Sequence, residues 1–239
     1  MSVALITGAS QGLGLALARE LAHQGWELVI DARGADALHA VAAELGPQVH
    51  PVVGDISDSG HREELAWKAH SIGRLDLLVN NAGTLGPSPL PALADYPLYD
   101  LARVFEINTI APLGLIQEVL PLLTASGGAV VNLSSDAAVE PYEGWGGYGA
   151  SKAALDHLTA VLAAETAAVR FYAFDPGDMR TAMHQAAFPG EDISDRPEAA
   201  TVVPALLRLL DERPQSGRYR ASDHPPVVTA GPALVGGVA

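Results

Sequence analysis

Val3-Ala4-Leu5-Ile6-Thr7-Gly8-Ala9-Ser10-Gln11-Gly12-Leu13-Gly14 opens the chain, and its reading decides the fold. Four apolar residues without alternation run into a glycine-rich turn, and an Ala/Leu stretch with helical spacing follows over 13–23. A strand apolar on both faces suits the inside of a sheet covered on each side. Each glycine has a physical task. Gly8 permits a tight turn, Gly12 lets backbone approach a pyrophosphate, and Gly14 lets the helix pack closely on the sheet. The amides of the turn, through Ser10, Gln11 and Leu13, would then face phosphates at the positive end of a helix dipole. A plain strand-to-helix connector would also be rich in glycine, but the place directly after the first strand favours a nucleotide site.

Working outward, candidate strands lie at 3–6, 27–30, 49–53, 75–80, 129–133 and 170–174, with a weak one near 217–220. Helical periodicity fills the intervals at 13–23, 36–45, 59–71, 99–123 and 149–168. This alternation predicts an α/β fold, a doubly wound parallel sheet with helices on both faces. No Pro/Ser-rich linker divides the chain, so residues 1–239 are expected to form one domain. Irregular stretches at 84–97, 136–147 and 178–197 fall at strand C-terminal ends, where such a sheet builds its site. The tail after Ala221 carries no clear element. The helix after Tyr148 is apolar nearly all round, which predicts burial against its own sheet on one side and a second subunit on the other.

Composition narrows the function. A net charge of −14, from 14 basic and 28 acidic residues, argues against a nucleic-acid or anionic membrane surface. The chain has no cysteine, which excludes disulfides, thiolate metal sites and cysteine catalysis; no metal site is read from it. The start lacks the basic region of a signal peptide, and no run of about 20 apolar residues suits a bilayer. A cytoplasmic protein is expected.

Tyr148 and Lys152 stand four residues apart, on one face of a helix, and Lys152 is one of only two lysines, with Lys68. An ammonium beside a phenol favours the phenolate, so the pair predicts a lowered tyrosine pKa and a proton donor or acceptor near neutral pH. Alone, such a pair is common on helices.

Taken in order, Thr7-Gly8-x-x-x-Gly12-x-Gly14, Asn80-Asn81-Ala82-Gly83, Tyr148-x-x-x-Lys152 and Pro176-Gly177 resemble the short-chain dehydrogenase/reductase family, from Val3 to about Thr181. The resemblance implies a Rossmann-type domain of seven parallel strands, assembled as a homodimer or homotetramer. It implies that Asp55 and Ile56 meet the adenine, and that Asn80, Ala82 and Gly83 stabilise the sheet and line the cofactor. Pro176 and Gly177 carry the cofactor loop, and Thr181 bonds the nicotinamide carboxamide. Without it, Asp55 reads as a cap or turn acid and Asn80 as a turn residue. It further implies Tyr148 as general acid in reduction and base in oxidation, with Lys152 lowering its pKa and holding the nicotinamide ribose. Ser135, thirteen residues before Tyr148, would bond the carbonyl oxygen; Ser134 is a rival. Asn108 matches an asparagine that kinks its helix and holds a water in the proton relay. The plain alternatives are a cap or turn for Ser135 and a solvent-facing amide for Asn108.

Asp31-Ala32-Arg33 bears on the cofactor. An acid there can accept from a ribose hydroxyl, whereas arginine offers a planar fork for a phosphate. In NAD-preferring relatives the acid matches Ala32; a small residue followed by Arg resembles NADP-preferring ones. Alternation turns Asp31 away from where Ala32 points. NADP is therefore expected over NAD, although Gln11 departs from the basic residue many NADP enzymes carry there. Arg33 could instead simply pair with Asp31.

The expected activity is hydride transfer between NADP(H) and a small-molecule carbonyl or secondary alcohol. The alternative is a non-catalytic NAD(P)-binding sensor, disfavoured by the set Asn108, Ser135, Tyr148 and Lys152. A methyltransferase is disfavoured by the Tyr/Lys pair, and a sugar epimerase by the short C-terminal region. Trp145, Tyr142, Met183 and Phe188 suggest an apolar or aromatic substrate wall; His184 could meet substrate, though a lone loop histidine is more often exposed. Two departures stand out: a short stretch between Lys152 and Pro176, and Ser216-Gly217-Arg218-Tyr219-Arg220 in place of the family's Val-Asp-Gly-Gly end.

Overall fold

The computed structural model describes residues 1–223. Seven strands, β1 (Val3–Ile6), β2 (Glu27–Ala32), β3 (Val49–Val53), β4 (Leu77–Asn80), β5 (Ala129–Leu133), β6 (Arg170–Asp175) and β7 (Gly217–Arg220), form one sheet in the order β3-β2-β1-β4-β5-β6-β7. Every pairing is parallel. The order reverses at β1, between β2 and β4, so a crevice opens beyond the carboxyl ends of these strands.

Helices cover both faces, as the alternation predicts. On one side α1 (Gly12–His23), α2 (Ala35–Leu45) and α8 (Val203–Glu212) pack Leu17, Leu21, Leu38 and Leu206 against Ile6, Ile30, Tyr172 and Phe174. On the other, α3 (Ser59–Ile72) and α5 (Ala111–Ser126) pack Leu65, Leu115 and Val119 against Leu5, Val29, Val130 and Phe171. Neighbouring strand residues thus serve opposite cores, which is why the strands read as unbroken apolar runs. Each fully buried large side chain stabilises the fold by roughly 1.5–3 kcal/mol.

Several boundaries differ from the sequence reading, for non-local reasons. β2 and β6 run further because Asp31 and Ala32 pair with Val52 and Val53, and Asp175 with Arg220. β4 starts later because the Asp76 carboxylate accepts the Val3 N–H (2.9 Å) and is clamped by Arg74. The helix expected over 99–123 is instead α4 (Leu98–Phe105), a π-helical turn (Glu106–Ile110) and α5. That turn widens where Asn108 and Thr109 spend their side chains on Thr84 and Ser151, outside the helix. By length and composition the run Leu98–Ser126 could cross a membrane, contrary to the sequence reading, but half of its most apolar window is buried within the fold.

The helix carrying the Tyr/Lys pair, α6 (Gly146–Glu165), begins three residues early. Gly146 and Gly147 pack against Leu93 and Tyr96 with no room for a Cβ. Its inner side is buried, whereas Ala150, Ala160, Val161 and Ala164 are exposed in the single chain. The loops at 84–97 and 136–147 contain short 3-10 turns (Leu93–Asp95, Asp136–Ala138), and that at 178–197 contains α7 (Ala182–Ala187). Beyond Ala221 a 3-10 turn spans Ala221–Asp223; the rest of the tail expected to be irregular lies outside the described residues.

Candidate active site

A cavity of about 410 Å³ follows the crevice above the switch in strand order. Its walls include Gly8, Ser10, Gln11, Gly12 and Leu13 of the first turn, Arg33 after β2, Asp55 and Ile56 after β3, Ala82 and Gly83 after β4, Tyr148 and Lys152 of α6, and Pro176 and Thr181 after β6, with Thr181 beside Gly12. Residues scattered from 8 to 181 in sequence therefore line one elongated cleft.

The turn after β1 is built by backbone. Gly8 has φ +66°, in the left-handed region that disfavours a side chain. A Cβ on Gly14 would sit 2.6 Å from the Gly8 carbonyl oxygen, so Gly14 lies beneath the turn and supports it rather than lining the cleft. Two side chains fix the turn from below. Asp31 Oδ1 accepts the Gly8 N–H (2.7 Å), and Asn81 Nδ2 donates to the carbonyls of Thr7 (2.8 Å) and Gly8 (3.0 Å). The other oxygen of Asp31 lies 3.0 Å from His61 Nε2, and Asp31 is buried. Asp31 is thus a structural acid and not the partner of Arg33, whose exposed side chain stands at the cleft wall. Gln11 caps α1 without a side-chain bond, which leaves the first-turn amides without that partner. A narrow cleft with a glycine-built turn, uncapped helix amides and a guanidinium at its side fits a phosphate-bearing dinucleotide.

Other predicted positions divide. Asp55 lines the cleft, yet its carboxylate also makes the turn of the plain reading, accepting from Ser57 N (3.0 Å) and Ser57 Oγ (2.7 Å) and pairing with Arg103 (2.9 Å). Burial pushes this carboxyl up, but the Ser57 bonds and the Arg103 and Arg33 charges outweigh it and hold it below its ordinary value. Asn80 does not line the cavity. It is buried behind the cleft, donating to Asn132 Oδ1 (2.8 Å), and Asn132 in turn donates to Thr159 Oγ1 of α6 (2.8 Å). The expected sheet-stabilising part is present, the cofactor-lining part is not. Neither is Asn108 a solvent-facing amide: it is buried in the π-helical turn. Its Oδ1 accepts from Thr84 N (2.8 Å), and its Nδ2 donates to Thr84 O and Ser151 Oγ. Both Nδ2 hydrogens are thus spent on protein, which ties the π-helical turn to Thr84 and to Ser151 of α6.

At the far end, Tyr148 is shared by the cleft and a smaller cavity of about 100 Å³. The small cavity is walled by Ser135, Trp145, Gly177, Met183 and His184, among others. Ser135 stands near enough to Tyr148 to draw its phenol pKa down, and its Oγ donates to Asp136 Oδ1 (3.0 Å), while Ser134 Oγ donates to Asp156 Oδ2 (2.8 Å). Lys152 Nζ donates to the Leu133 carbonyl (2.7 Å) and lies 5.6 Å from the Tyr148 ring centre. Trp145, which lines the small cavity, meets Tyr148 edge-on at 5.8 Å and Phe188 at 6.1 Å. Tyr142 instead donates to Asp136 and is half exposed. His184 is not solvent-exposed: only 10% of its side chain is accessible, beside Asp178 (3.8 Å) and Arg196 (3.4 Å).

The electrostatics differ from the sequence expectation. Burial raises the Tyr148 pKa well above the ordinary phenol value; the nearby Ser135 hydroxyl draws it down, and Asp175, Asp136 and Asp156 push it up again. Burial also pushes the Lys152 ammonium down to about 8, against the pull of Asp156. The phenol is therefore held in its protonated form, contrary to the lowered pKa that the Tyr/Lys spacing predicted, because loss of solvent outweighs one nearby ammonium. Sequence reading missed Asn81, the Asp31–His61 pair and Arg218. The doubled Asn80-Asn81 could have flagged the first; the others join elements far apart in sequence.

A family model described as short chain dehydrogenase matches residues 2–192. Serine 3-dehydrogenase of Agrobacterium fabrum is 39% identical over 181 residues, covering 74% of this chain and 72% of the relative. Sepiapterin reductase of Rattus norvegicus is 35% identical over 202 residues, covering 78% and 77%. A short chain dehydrogenase structure from Shigella flexneri, complexed with NADP, superposes with a TM-score of 0.85 at 32% identity, covering 92% of this chain and 97% of that one. The four motifs, the seven-stranded order and these matches agree, and the chain belongs to the short chain dehydrogenase family of oxidoreductases.

Proposed function

We propose that this chain transfers a hydride between NADP(H) and a small carbonyl or secondary alcohol, with Tyr148 as general acid in reduction and base in oxidation. The observation that carries the reading is the place of Tyr148, at the junction of the dinucleotide-shaped cleft and the small cavity beside it, which Ser135 also lines. A nicotinamide cofactor, when bound, supplies or accepts the hydride. Gly8, Ser10, Gln11, Gly12 and Leu13 would hold its phosphates, Asp55 and Ile56 its adenine end, and Ala82, Gly83, Lys152, Pro176, Gly177 and Thr181 its nicotinamide end. Ser135 orients the substrate oxygen, and Tyr148 protonates that oxygen as the alcohol forms. A phenol kept neutral by burial is already loaded for that proton donation. In oxidation it must lose the proton, which the Lys152 charge favours.

Arg33 at the cleft wall and the full engagement of Asp31 support NADP over NAD, as does the NADP-complexed Shigella relative. One domain over 1–239, a homodimer or homotetramer through the exposed side of α6, and a cytoplasmic setting belong to the same proposal. They are checked by limited proteolysis, sedimentation and fractionation. The main test is a panel of carbonyls and alcohols followed by NADPH and NADH absorbance. Turnover with NADPH in preference to NADH is expected. A silent panel despite tight NADPH binding would favour a dinucleotide sensor.

A further inference from the structure

Arg218 of β7 reaches three other segments of the site with one guanidinium. Its Nε donates to Asp156 Oδ2 of α6 (3.0 Å), and its Nη2 donates to the backbone carbonyl of Ser135 (2.9 Å) and to Asp175 Oδ2 at the end of β6 (3.0 Å). Each contact lies beside a residue of the proposed chemistry. Asp156 is one helical turn beyond Lys152 and also accepts from Ser134 Oγ. Asp175 precedes Pro176 and accepts the Gly177 N–H through its other oxygen (3.0 Å). The acids are hardly accessible, with 14% and 5% of their side chains exposed, and Arg218 itself is at 23%. Paired charges at such depth interact strongly, and losing one partner strands the others.

We propose that Arg218 is a positioning residue for the reaction at Tyr148: it fixes the Ser135 peptide and compensates the two carboxylates behind the tyrosine. The proposal rests on the reductase reading above. The charged and titratable groups around the phenol are few enough to name. Lys152 and Asp156 come from α6, Asp136 follows Ser135, and Asp175 ends β6. Asp178 and His184 wall the small cavity, and Arg220 of β7 stands 3.9 Å from Asp175. Asp136 is already engaged by Ser135 Oγ, Ala137 N and the Tyr142 hydroxyl. Three carboxylates therefore face the phenol, and Arg218 is the cation bonded to two of them. A neutral residue in its place leaves both fields acting on Tyr148, which makes the phenolate harder to form. It also frees the Ser135 carbonyl from its anchor.

The test compares Arg218→Gln, Arg218→Lys and the double variant Arg218→Gln/Asp156→Asn with the wild type. For Arg218→Gln we expect kcat for alcohol oxidation to fall about ten- to hundredfold. The pH limb of that rate should move upward by about one unit, with KM for NADP near the wild-type value. Lysine should restore the limb without the full kcat, since it lacks the planar fork. The double variant removes one uncompensated acid, so it should move the limb back, and it replaces the single variant if that fails to fold. An unmoved limb, or a loss of thermal stability and kcat together with no change in pH profile, would overturn the assignment. The reductase reading fails separately, if Tyr148→Phe turns over as fast as wild type. In that event a crystal structure of Arg218→Gln still decides: the Ser135 peptide leaves its wild-type place if the assignment holds and stays there if not.

Discussion

The two ends of the cleft solve different physical problems. At the β1–β2 end the ligand would meet backbone: a left-handed glycine, uncapped helix amides, and a turn fixed from below by Asp31 and Asn81. At the β5–β7 end it would meet side chains, with Tyr148, Ser135 and Lys152 brought together by α6 and two strand ends. Backbone recognition needs space and amides, so it is written as glycines in one short run. Side-chain chemistry needs charges balanced in a dry place, so it depends on residues contributed by several strands. The first end should be sensitive to added volume, the second to lost charge or lost protons.

The largest effect should come from the chemical end. Tyr148→Phe is expected to lower kcat on the order of 10² to 10⁴, with NADPH affinity within a few-fold of wild type, read by steady-state kinetics and fluorescence titration. Similar losses in rate and binding would blur the division between the ends. Adding one methyl at the other end is the converse experiment. A Cβ on Gly14 meets the Gly8 carbonyl at 2.6 Å and Asn81 Nδ2 at 2.5 Å, so Gly14→Ala should cost about 1–3 kcal/mol in chemical denaturation and weaken dinucleotide binding. Unchanged binding and stability would mean that the turn relaxes freely.

Arg33→Ala should raise KM for NADPH about tenfold and leave that for NADH unchanged, the loss of one charge-assisted contact. Equal changes for both cofactors would remove Arg33 as the discriminating residue. The smallest effect concerns pH. The folded Lys152 releases its proton near 8, the unfolded one near 10.5. Over that window the unfolded state holds more protons, so stability should rise with pH relative to Lys152→Met, by an amount on the order of 1 kcal/mol. Parallel curves for the two proteins would show that Lys152 titrates in the folded protein as it does in water.

The β1–β2 end was largely legible because its determinants are local. Gly8, Gly12 and Gly14 fall within one short run of sequence, and the alternation of apolar runs with helical spacing predicted the parallel sheet that forms. Thirteen residues separate Ser135 from Tyr148, and that spacing favoured Ser135 over Ser134. In the structure both serines donate to acids, Ser134 to Asp156 and Ser135 to Asp136. Less legible were the functions of Asp31, Asn80 and Asn108. Each is bonded to a partner more than twenty residues away, beyond the reach of a local pattern.

What the sequence determined by itself, then, is the sheet, the glycine-rich turn after β1 and the identity of the pair Tyr148 and Lys152, because strand and helix periods and glycine geometry act over a few residues. Only the tertiary structure decided the protonation of that pair. The sequence placed an ammonium one helical turn from a phenol and predicted an easier phenolate. Folding buried both and gathered Asp136, Asp156 and Asp175 around them, and desolvation with three carboxylates outweighs one neighbouring cation. Solvent exclusion belongs to the whole packed site, and no spacing within one helix encodes it.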